Sequence, residues 1–393
     1  MIHPDEALRL IGSLECRLGA EKVAIASALG RVPASAPVSL LDQPPFDKAT
    51  MDGFAYAGAD GALADIGESF ALVGSIAAGA APGRPLAPGD CVRIMTGAPV
   101  PEGTRAVHRL ERSEESGGLV VIAAREDAAN IVRRGVNRRA GEELFPRRPL
   151  RPQDIGILAS NGLAEIEVVR RPRVRVLSTG NELRAAGEAL GPALIYDANG
   201  PLLVAQAAAA GCRASFSGIV PDDENALCDA ISAASADADL VIVSGGASAG
   251  DFDFVPRALE RLGFETLFRG ISMRPGMPAL LGRRGGCFAY GMPGNPVSAF
   301  VNFELMLKPL LAGFAGLAFD PPSMRVRMAK PVSRAPAERV EFLPVEIGEG
   351  YAYPLRYTGS AMLDALACAD ALVRLEIGVS EIPQGAETLA RLI

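Results

Sequence analysis

The sequence predicts a multi-domain protein that joins an α/β domain to separate β-rich parts, and three observations support this fold class. The chain has 393 residues, which is enough for roughly two to four domains. Between about 172 and 318, apolar runs alternate with segments of helical apolar spacing, which indicates βα units and a parallel sheet. Short strand patterns separated by Gly and Pro occupy about 54–130 and the last 70 or so residues, which is typical of small β domains.

The most informative loop of the α/β region lies between residues 244 and 253. It follows the apolar run 240–243, which has the composition of a buried parallel strand, and it precedes a helical pattern over 254–262. Its glycines let the backbone approach a ligand closely, and the helix start offers free N–H groups to an anion. Asp251 and Asp253 would repel a bare phosphate. The loop therefore predicts either a bridging cation or a ligand rich in N–H donors.

Two further loops have the same character. The loop 291–298 carries Asn295 as a predicted N-cap and Pro296 at the first position of a long buried helix. The loop 178–182 follows another apolar run. Since the carboxyl ends of strands in a doubly wound sheet lie along one edge, we expect the three loops to converge on one ligand site.

Composition and charge narrow the classes of function. The net charge of −7 argues against a general nucleic-acid binder. An arginine-rich stretch over 133–151 is either a solvated surface or a patch that steers anions. The two histidines, His3 and His108, do not supply a His-rich metal centre or a Ser-His-Asp hydrolase. His108 is either a packing residue or a lone base.

The cysteines and the chain's hydropathy predict a cytoplasmic protein that binds no membrane. The six cysteines form no C-x-x-C pair, so we expect buried structural thiols in a reducing compartment. The sequence contains no run of eighteen apolar residues, and its N-terminus does not read as a signal peptide.

A pair of acids, Asp222 and Asp223, follows a predicted strand that ends near Val220. Acidic residues at this position either cap the next helix or face the predicted ligand site. The residues themselves leave both interpretations open.

Six sequence blocks resemble the molybdopterin molybdenumtransferase family, the MoeA family, which includes the gephyrin E domain. The blocks stand in the family's order and span nearly the whole chain. They are Pro44–Ala55, Arg93–Gly103, Leu177–Leu183, Ile195–Asn199, Gly245–Asp253 and Pro293–Ser298.

The resemblance implies a four-part fold. An elongated discontinuous domain would comprise 1–52 and 136–171, with a β-rich domain inserted at 53–135. A three-layer α/β molybdopterin-binding domain would cover 172–318, and a C-terminal β domain would cover 322–393. It also implies a homodimer, in which one subunit's molybdopterin-binding domain forms the site with the partner's first two regions.

The reaction implied by the resemblance is the insertion of molybdate into adenylylated molybdopterin, with release of AMP and participation of Mg²⁺. The loop residues suit this ligand. Carboxylates can accept paired N–H donors from a pterin, and glycine N–H groups suit a diphosphate. Mg²⁺ between carboxylate and phosphate oxygens would reconcile the loop acids with an anionic substrate.

The resemblance also assigns site residues by position. Catalytic roles fall on Asp52, Thr96, Glu182, Asp222, Asp251 and Arg274, of which Asp52 and Thr96 would come from the partner subunit. Asp222 and Asp251 are the expected metal ligands. The expected substrate-binding residues are Thr179, Gly180, Ser244, Gly245, Gly246, Ser248, Gly250, Asp253, Pro275, Pro293, Gly294, Asn295, Pro296, Ser298, Arg339 and Ser360.

Several positions depart from the family pattern. Arg274 and Met277 stand where the family has lysines, and Asn137 replaces an acid. Lys48 and Ala49 also differ from the family's Asn and Ser. The loss of a catalytic charge commonly costs ~2–4 kcal/mol of transition-state stabilisation. The alternative function is therefore a non-catalytic molybdopterin-binding carrier, or a maturation partner of a client molybdoenzyme.

Overall fold

The computed structural model describes residues 1–58, 63–246, 254–355, 359 and 361–393. The chain forms two compact units. The larger unit contains residues 1–21 and 169–393, and the smaller unit contains residues 22–168. The four-part division expected from the sequence stays a prediction.

A six-stranded mixed sheet forms the centre of the larger unit, and its strands are labelled here in chain order. They are β1 (Arg173–Thr179), β2 (Arg213–Val220), β3 (Leu240–Ser244), β4 (Glu265–Arg269), β5 (Leu280–Arg284) and β6 (Cys287–Met292). Their spatial order is β2-β1-β3-β6-β5-β4. The strands β2, β1, β3 and β6 are parallel, whereas β5 and β4 are antiparallel to their neighbours.

Four helices cover the two faces of this sheet, which confirms the predicted three-layer α/β architecture. They are α1 (Asn199–Ala209), α2 (Glu224–Ser235), α3 (Phe254–Arg261) and α4 (Pro296–Phe314). Helices α1 and α4 pack on the face that carries Leu240 and Ile242, and α2 and α3 pack on the face that carries Val241 and Val243. The continuous apolar run of β3 follows from this arrangement, because both of its faces are buried.

Helix α4 is long and apolar, as the sequence predicts. Length and composition alone would allow it to cross a membrane, but 72% of the apolar window is buried inside the protein. A short π-helical turn at Phe303–Leu307 interrupts its regular α-helical hydrogen bonding. The burial identifies α4 as a core helix of the larger unit.

A second six-stranded sheet occupies the C-terminal part of the larger unit. In spatial order its strands are Met273–Arg274, Val340–Gly348, Tyr351–Pro354, Ser323–Met328, Glu387–Leu392 and Ala371–Leu375. Five of these strands lie in the C-terminal stretch where the sequence predicts strand patterns, whereas Met273–Arg274 lies outside it. The latter pairs with Val340 and Glu341, so a segment of the α/β region joins the C-terminal sheet.

The remaining elements of the larger unit are short. The N-terminal helix spans Pro4–Gly12. Minor elements are the strand pairs Leu183–Arg184 with Ile195–Tyr196 and Val332–Ser333 with Glu381–Ile382, and the 3₁₀ turn Leu363–Leu366.

The smaller unit is built on another six-stranded sheet. Its strands in spatial order are Thr104–Arg109, Gly53–Ala57, Asp90–Ile94, Ser69–Ile76, Leu119–Ile122 and Ser113–Ser116. Helix Pro152–Ser160 covers a separate apolar cluster that includes Ala28, Phe145 and Leu158. A short strand pair joins Lys48–Ala49 to Ile131–Val132. The chain passes between the units within two strands, Ala20–Ala24 and Glu165–Val169.

Several residues left open by the sequence now have structural roles. His108 is fully buried, and its Nε2 lies 2.8 Å from the carbonyl oxygen of Ala124, which favours a packing role. Arg133 and Arg134 form ion pairs with Asp47 and Asp42 at 2.7 and 2.6 Å.

The expectation of buried thiols holds for Cys91, Cys212, Cys228 and Cys287, but is wrong for exposed Cys368. Burial raises the pKa of Cys91 and of Cys212 to about 12, so both remain protonated thiols at neutral pH. Cys368 lies two residues after the 3₁₀ turn Leu363–Leu366.

Candidate functional site

The three predicted loops meet at one edge of the central sheet of the larger unit. Ser178 lies opposite Ser244 in the strand register, and Ser244 lies opposite Met292, so β1, β3 and β6 end side by side. The N–H of Gly245 donates to the carbonyl of Met292 at 3.0 Å, and the N–H of Gly180 donates to the carbonyl of Val220 at 3.2 Å. For the part of these loops that the structure describes, which includes only 244–246 of the loop 244–253, the prediction that they converge is confirmed.

Gly245 allows two of these loops to pack against each other. Its φ is +98°, and a Cβ at this position would lie 2.3 Å from the carbonyl oxygen of Thr179. Any other residue would have to move the loop, so this position requires glycine. A Cβ on Gly294 would lie 3.7 Å from the Cα of Gly245, which places the third loop beside the other two.

A cavity of about 810 Å³ opens at this edge, within the larger unit. Its volume lies within the range of sites that bind ligands of nucleotide size. Among the predicted residues, the cavity is lined by Thr179, Glu182, Asp222, Ser244, Gly245, Gly246, Arg274, Pro275, Pro293, Gly294, Asn295, Pro296, Ser298 and Arg339.

Some predicted residues are not part of this lining. Gly180 faces a neighbouring depression on the other side of its loop. Asp52 and Thr96 belong to the smaller unit. Ser248, Gly250, Asp251, Asp253 and Ser360 lie outside the described residues.

Asp222 faces the loop after β1, and its neighbour Asp223 caps a helix. The Thr179 hydroxyl donates to Oδ1 of Asp222 at 2.8 Å, and the Asn181 N–H donates to Oδ2 at 3.4 Å. The Asp223 side chain accepts the N–H of Ala226 at 2.9 Å, at the first turn of α2. The structure thus separates the two interpretations of this acidic pair.

Two guanidinium groups, those of Arg274 and Arg339, also line the cavity. Arg274 is half exposed, and its Nε lies 3.9 Å from Glu341, whereas Arg334 lies closer to Glu341, at 3.3 Å. Arg339 places its Nη1 3.4 Å from the sulfur of Met277. Arg274 is therefore only distantly paired and partly open to an anion, and Arg339 contacts the neutral thioether of Met277, at a position where the family resemblance implies a lysine.

Asp197 and Asn199, for which no site role is predicted, are both buried and line the cavity. Asn199 Nδ2 lies 2.7 Å from the Ser244 hydroxyl oxygen and 2.7 Å from the carbonyl oxygen of Gly294. Asp197 Oδ1 accepts the N–H groups of Asn199 and Gly200. The signal for both was the Asp-x-Asn spacing before a helical pattern, which was used only for the family resemblance.

Asn295 occupies the predicted N-cap position of α4, but its side chain makes no capping hydrogen bond. It is exposed at the rim of the cavity. Pro296 occupies the first turn as predicted, where its missing N–H costs no intrahelical hydrogen bond. The Asn295 side chain is consequently available to a ligand.

Asp52 and Thr96 form an exposed pair in the smaller unit. Asp52 Oδ1 accepts the Thr96 N–H and the Thr96 hydroxyl, both at 2.7 Å. These two bonds, the backbone N–H first and the hydroxyl second, lower the pKa of Asp52 below its ordinary value. The sequence prediction that the two residues act together is consistent with this contact.

The cavity acids partly fit a Mg²⁺ ion that is shared with a ligand. The described part of the chain contains no group of three or more His, Cys, Asp or Glu side chains placed to hold a metal. Each oxygen of Asp222 accepts one hydrogen bond, so lone pairs remain for one metal contact. One carboxylate combined with phosphates and water is an ordinary protein environment for Mg²⁺.

Comparison with known families covers most of the chain. Residues 2–162 match the "MoeA N-terminal region (domain I and II)", residues 175–313 match the "Probable molybdopterin binding domain", and residues 325–390 match the "MoeA C-terminal region (domain IV)".

Similar proteins agree in sequence and in structure. The molybdopterin molybdenumtransferase of Nostoc sp. is 35% identical over 327 residues, which cover 81% of this chain and 75% of the relative. That of Bacillus subtilis is 34% identical over 318 residues, covering 79% and 74%. A crystal structure of a molybdopterin biosynthesis MoeA protein from Pyrococcus horikoshii superposes with a TM-score of 0.87 at 30% identity, covering 100% of this chain and 99% of that one.

The fold and the cavity define a multi-domain protein with a small-molecule site at the carboxyl edge of a three-layer α/β sheet. The full-length structural match and the identity over four-fifths of the sequence then specify the family. The chain belongs to the molybdopterin molybdenumtransferase (MoeA) family.

Proposed function

We propose that this protein inserts molybdate into adenylylated molybdopterin and releases AMP, as a step of molybdenum cofactor biosynthesis. One observation carries the proposal. A single cavity combines glycine-loop amides and hydroxyls, carboxylates, and two guanidinium groups at the edge of the central sheet. A pterin that carries a diphosphate and a second, separate anion require these three kinds of group together.

Different residues of the cavity suit different parts of the substrates. The hydroxyls of Thr179 and Ser244 and the N–H groups of the glycine loops suit the phosphate oxygens, whose charge is spread over several acceptors. Arg274 and Arg339 suit the molybdate dianion, because planar guanidinium groups bind oxyanions in a bidentate manner. In this reaction the dithiolene sulfurs replace oxygen ligands of molybdate, which leave as water, and a water molecule cleaves the phosphoanhydride to give the molybdopterin phosphate and AMP.

Asp222 would hold one side of a Mg²⁺ ion, and Glu182 lies at the rim of the same cavity. When bound, Mg²⁺ would supply neutralisation of the charge that develops on the phosphoanhydride oxygens. Asp251 remains the second proposed ligand from the family pattern.

The assay that tests the function measures AMP from purified protein, adenylylated molybdopterin and Mg²⁺, with and without molybdate. We expect AMP release that depends on molybdate. Binding of adenylylated molybdopterin without AMP release would reject the transferase and support the carrier.

The second candidate, a non-catalytic molybdopterin carrier or maturation partner, rests on a specific contact. Met277 lies against Arg339, so the anion-binding wall holds one cation fewer than the family pattern. Asn137 removes an acid in the smaller unit in the same way. A carrier would keep the pterin loops and lose molybdate-dependent turnover.

We also propose a cytoplasmic homodimer whose sites are completed by the partner subunit, with delivery of the product to a client molybdoenzyme. Two features of the smaller unit support the dimer. The Asp52–Thr96 pair is exposed, and exposed apolar side chains gather nearby in the sequence at Val38, Leu40 and Phe46. Large exposed apolar groups often mark contact surfaces.

Mixing two impaired variants tests the shared site. If Asp52→Ala and Asp222→Ala subunits exchange into mixed dimers, one site of each mixed dimer has neither substitution. We expect mixing to raise AMP release well above the strongly reduced rate of either variant alone. A mass of one subunit in light scattering, or no recovery after proven subunit exchange, would reject the shared site.

A further inference from the structure

Asn199, the first residue of α1, contacts the loop after β3 and the loop after β6. Only 7% of its surface is exposed. Its side-chain nitrogen lies 2.7 Å from Ser244 Oγ at the end of β3 and 2.7 Å from the carbonyl oxygen of Gly294 after β6. One side chain therefore sets the spacing between the loops that form two sides of the cavity.

The chemistry of these partners determines how the amide is oriented. The carbonyl of Gly294 can only accept a hydrogen bond, so the side-chain atom that faces it must be the NH₂ group. The second hydrogen of this group points to Ser244, whose oxygen accepts it. In the part of the chain that the structure describes, the Ser244 hydroxyl donates to no protein acceptor, so its own hydrogen remains for a ligand.

The start of α1 is itself held in place. Asp197 Oδ1 accepts the N–H of Asn199 at 3.0 Å and that of Gly200 at 3.1 Å. A Cβ on Gly200 would lie 2.5 Å from Asp197 Oδ2 and 2.4 Å from the ring of Phe216, so the helix start packs too closely for a larger residue. The Asn199 side chain consequently projects from a fixed backbone.

We propose that Asn199 is a positioning residue of the site. It holds the loops after β3 and β6 at a fixed separation, and it makes the Ser244 hydroxyl a hydrogen-bond donor to an anionic oxygen of the ligand, such as a phosphate oxygen. This proposal rests on the proposed function for the identity of the ligand, but the loop spacing can be tested without it. A displacement of about 1 Å in such a site can cost about 10²-fold in rate.

The first test measures loop opening by hydrogen–deuterium exchange, with no substrate. Asn199→Asp is nearly isosteric and replaces the NH₂ donor with an oxygen. Gln206→Ala is the matched control, because Gln206 is a buried amide on the same helix whose nitrogen donates to Glu304 Oε1 at 3.0 Å and does not contact the site loops. The carboxylate cannot donate to the Gly294 carbonyl, although the Ser244 hydroxyl can turn to donate to it. Loss of the buried bond to Gly294, with two oxygens then facing each other, should speed exchange about tenfold or more, most strongly in the loop after β6.

We expect faster exchange over residues 244–246 and 293–298 in Asn199→Asp, with the rest of the central sheet unchanged and no such change in Gln206→Ala. Unchanged exchange in both loops, or an equal increase across the whole sheet, would overturn the proposal.

The second test separates positioning from stability by kinetics. We expect Asn199→Asp to lower kcat/KM for AMP release about 10²-fold and Ser244→Ala about tenfold, with the double variant no slower than Asn199→Asp. Gln206→Ala should stay within about twofold of the parent protein. If the fold-losses in kcat/KM of the two single variants multiply in the double variant, Asn199 does not act through Ser244. If the parent protein releases no AMP, the proposed function fails while the exchange experiment still decides the loop spacing.

Discussion

Two threonine–aspartate pairs, one in each unit, use the same groups in different ways. In the smaller unit, Thr96 donates its N–H and its hydroxyl to one oxygen of Asp52, both at 2.7 Å. In the larger unit, Asp222 receives the Thr179 hydroxyl on one oxygen at 2.8 Å and a backbone N–H from the same loop on the other at 3.4 Å. The two residues of the smaller unit are exposed, whereas Thr179 is buried.

Asp52 is an exposed carboxylate that is open to a ligand, whereas Asp222 also holds two strand ends together. Both hydrogen bonds to Asp52 end on Oδ1, so its other oxygen takes no part in this contact. Both bonds also come from the same residue, Thr96. Asp222 instead connects the ends of β1 and β2, so its removal changes loop geometry as well as ligand contact. Similar polar groups therefore predict different consequences of substitution in the two units.

The largest effect is expected from Asp222→Ala. We expect kcat/KM for AMP release to fall about 10³-fold, because the ligand contact and the loop anchor are lost together. The free energy of unfolding should also fall, by about 1 kcal/mol for the lost Thr179 bond. Steady-state kinetics and urea denaturation measure the two effects.

Asp223→Ala is the matched control for that substitution. It removes the cap of α2, which should cost about 1 kcal/mol of stability. We expect kcat/KM to change less than threefold. Equal kinetic losses in the two variants would mean that Asp222 acts only through the fold.

A smaller effect is expected from Asp52→Ala, which tests whether Asp52 contacts a ligand without stabilising the smaller unit. We expect kcat/KM to fall about 10²-fold with no change in thermal midpoint, because both partners are exposed. Calorimetry and AMP-release kinetics on the same preparation provide the comparison. A lower midpoint would show that Asp52 supports the smaller unit, as Asp222 is expected to support the larger one.

The smallest effect is expected from Thr96→Val, which removes the hydroxyl and keeps the backbone N–H. The Thr96 bonds favour the ionised form of Asp52 and lower its pKa, so the loss of one bond should raise this pKa. The acid limb of the kcat/KM profile should then move to higher pH, with little change on the alkaline side. An unmoved acid limb would show that Asp52 ionisation does not control turnover.

Much of the site could be predicted because strand-to-helix transitions are local in sequence. Apolar runs that end at Thr179, Ser244 and Met292 identify the loops, and parallel pairing places their carboxyl ends on one edge. The prediction fails where two neighbouring residues have equal local propensity. Asp222 and Asp223 have the same side chain, and only the direction of each side chain decides which one caps α2 and which one faces the loop after β1.

Other features depend on contacts that the sequence does not encode locally. The strand Met273–Arg274 exists only because it pairs with Val340 and Glu341, and this pairing brings Arg274 to the cavity wall. Asn199 acquires its role from two loops that follow it in the chain by 45 and 95 residues. Periodicity carries no information about partners at such separations.

The family, the βα alternation and the glycine loops could be predicted from residue order, because they depend on local backbone preference. Which polar groups meet depends on the fold. Hydrogen bonds require atoms within about 3 Å, and for Asn199, Asp222 and Arg339 that distance is set by how separate segments of the chain pack together.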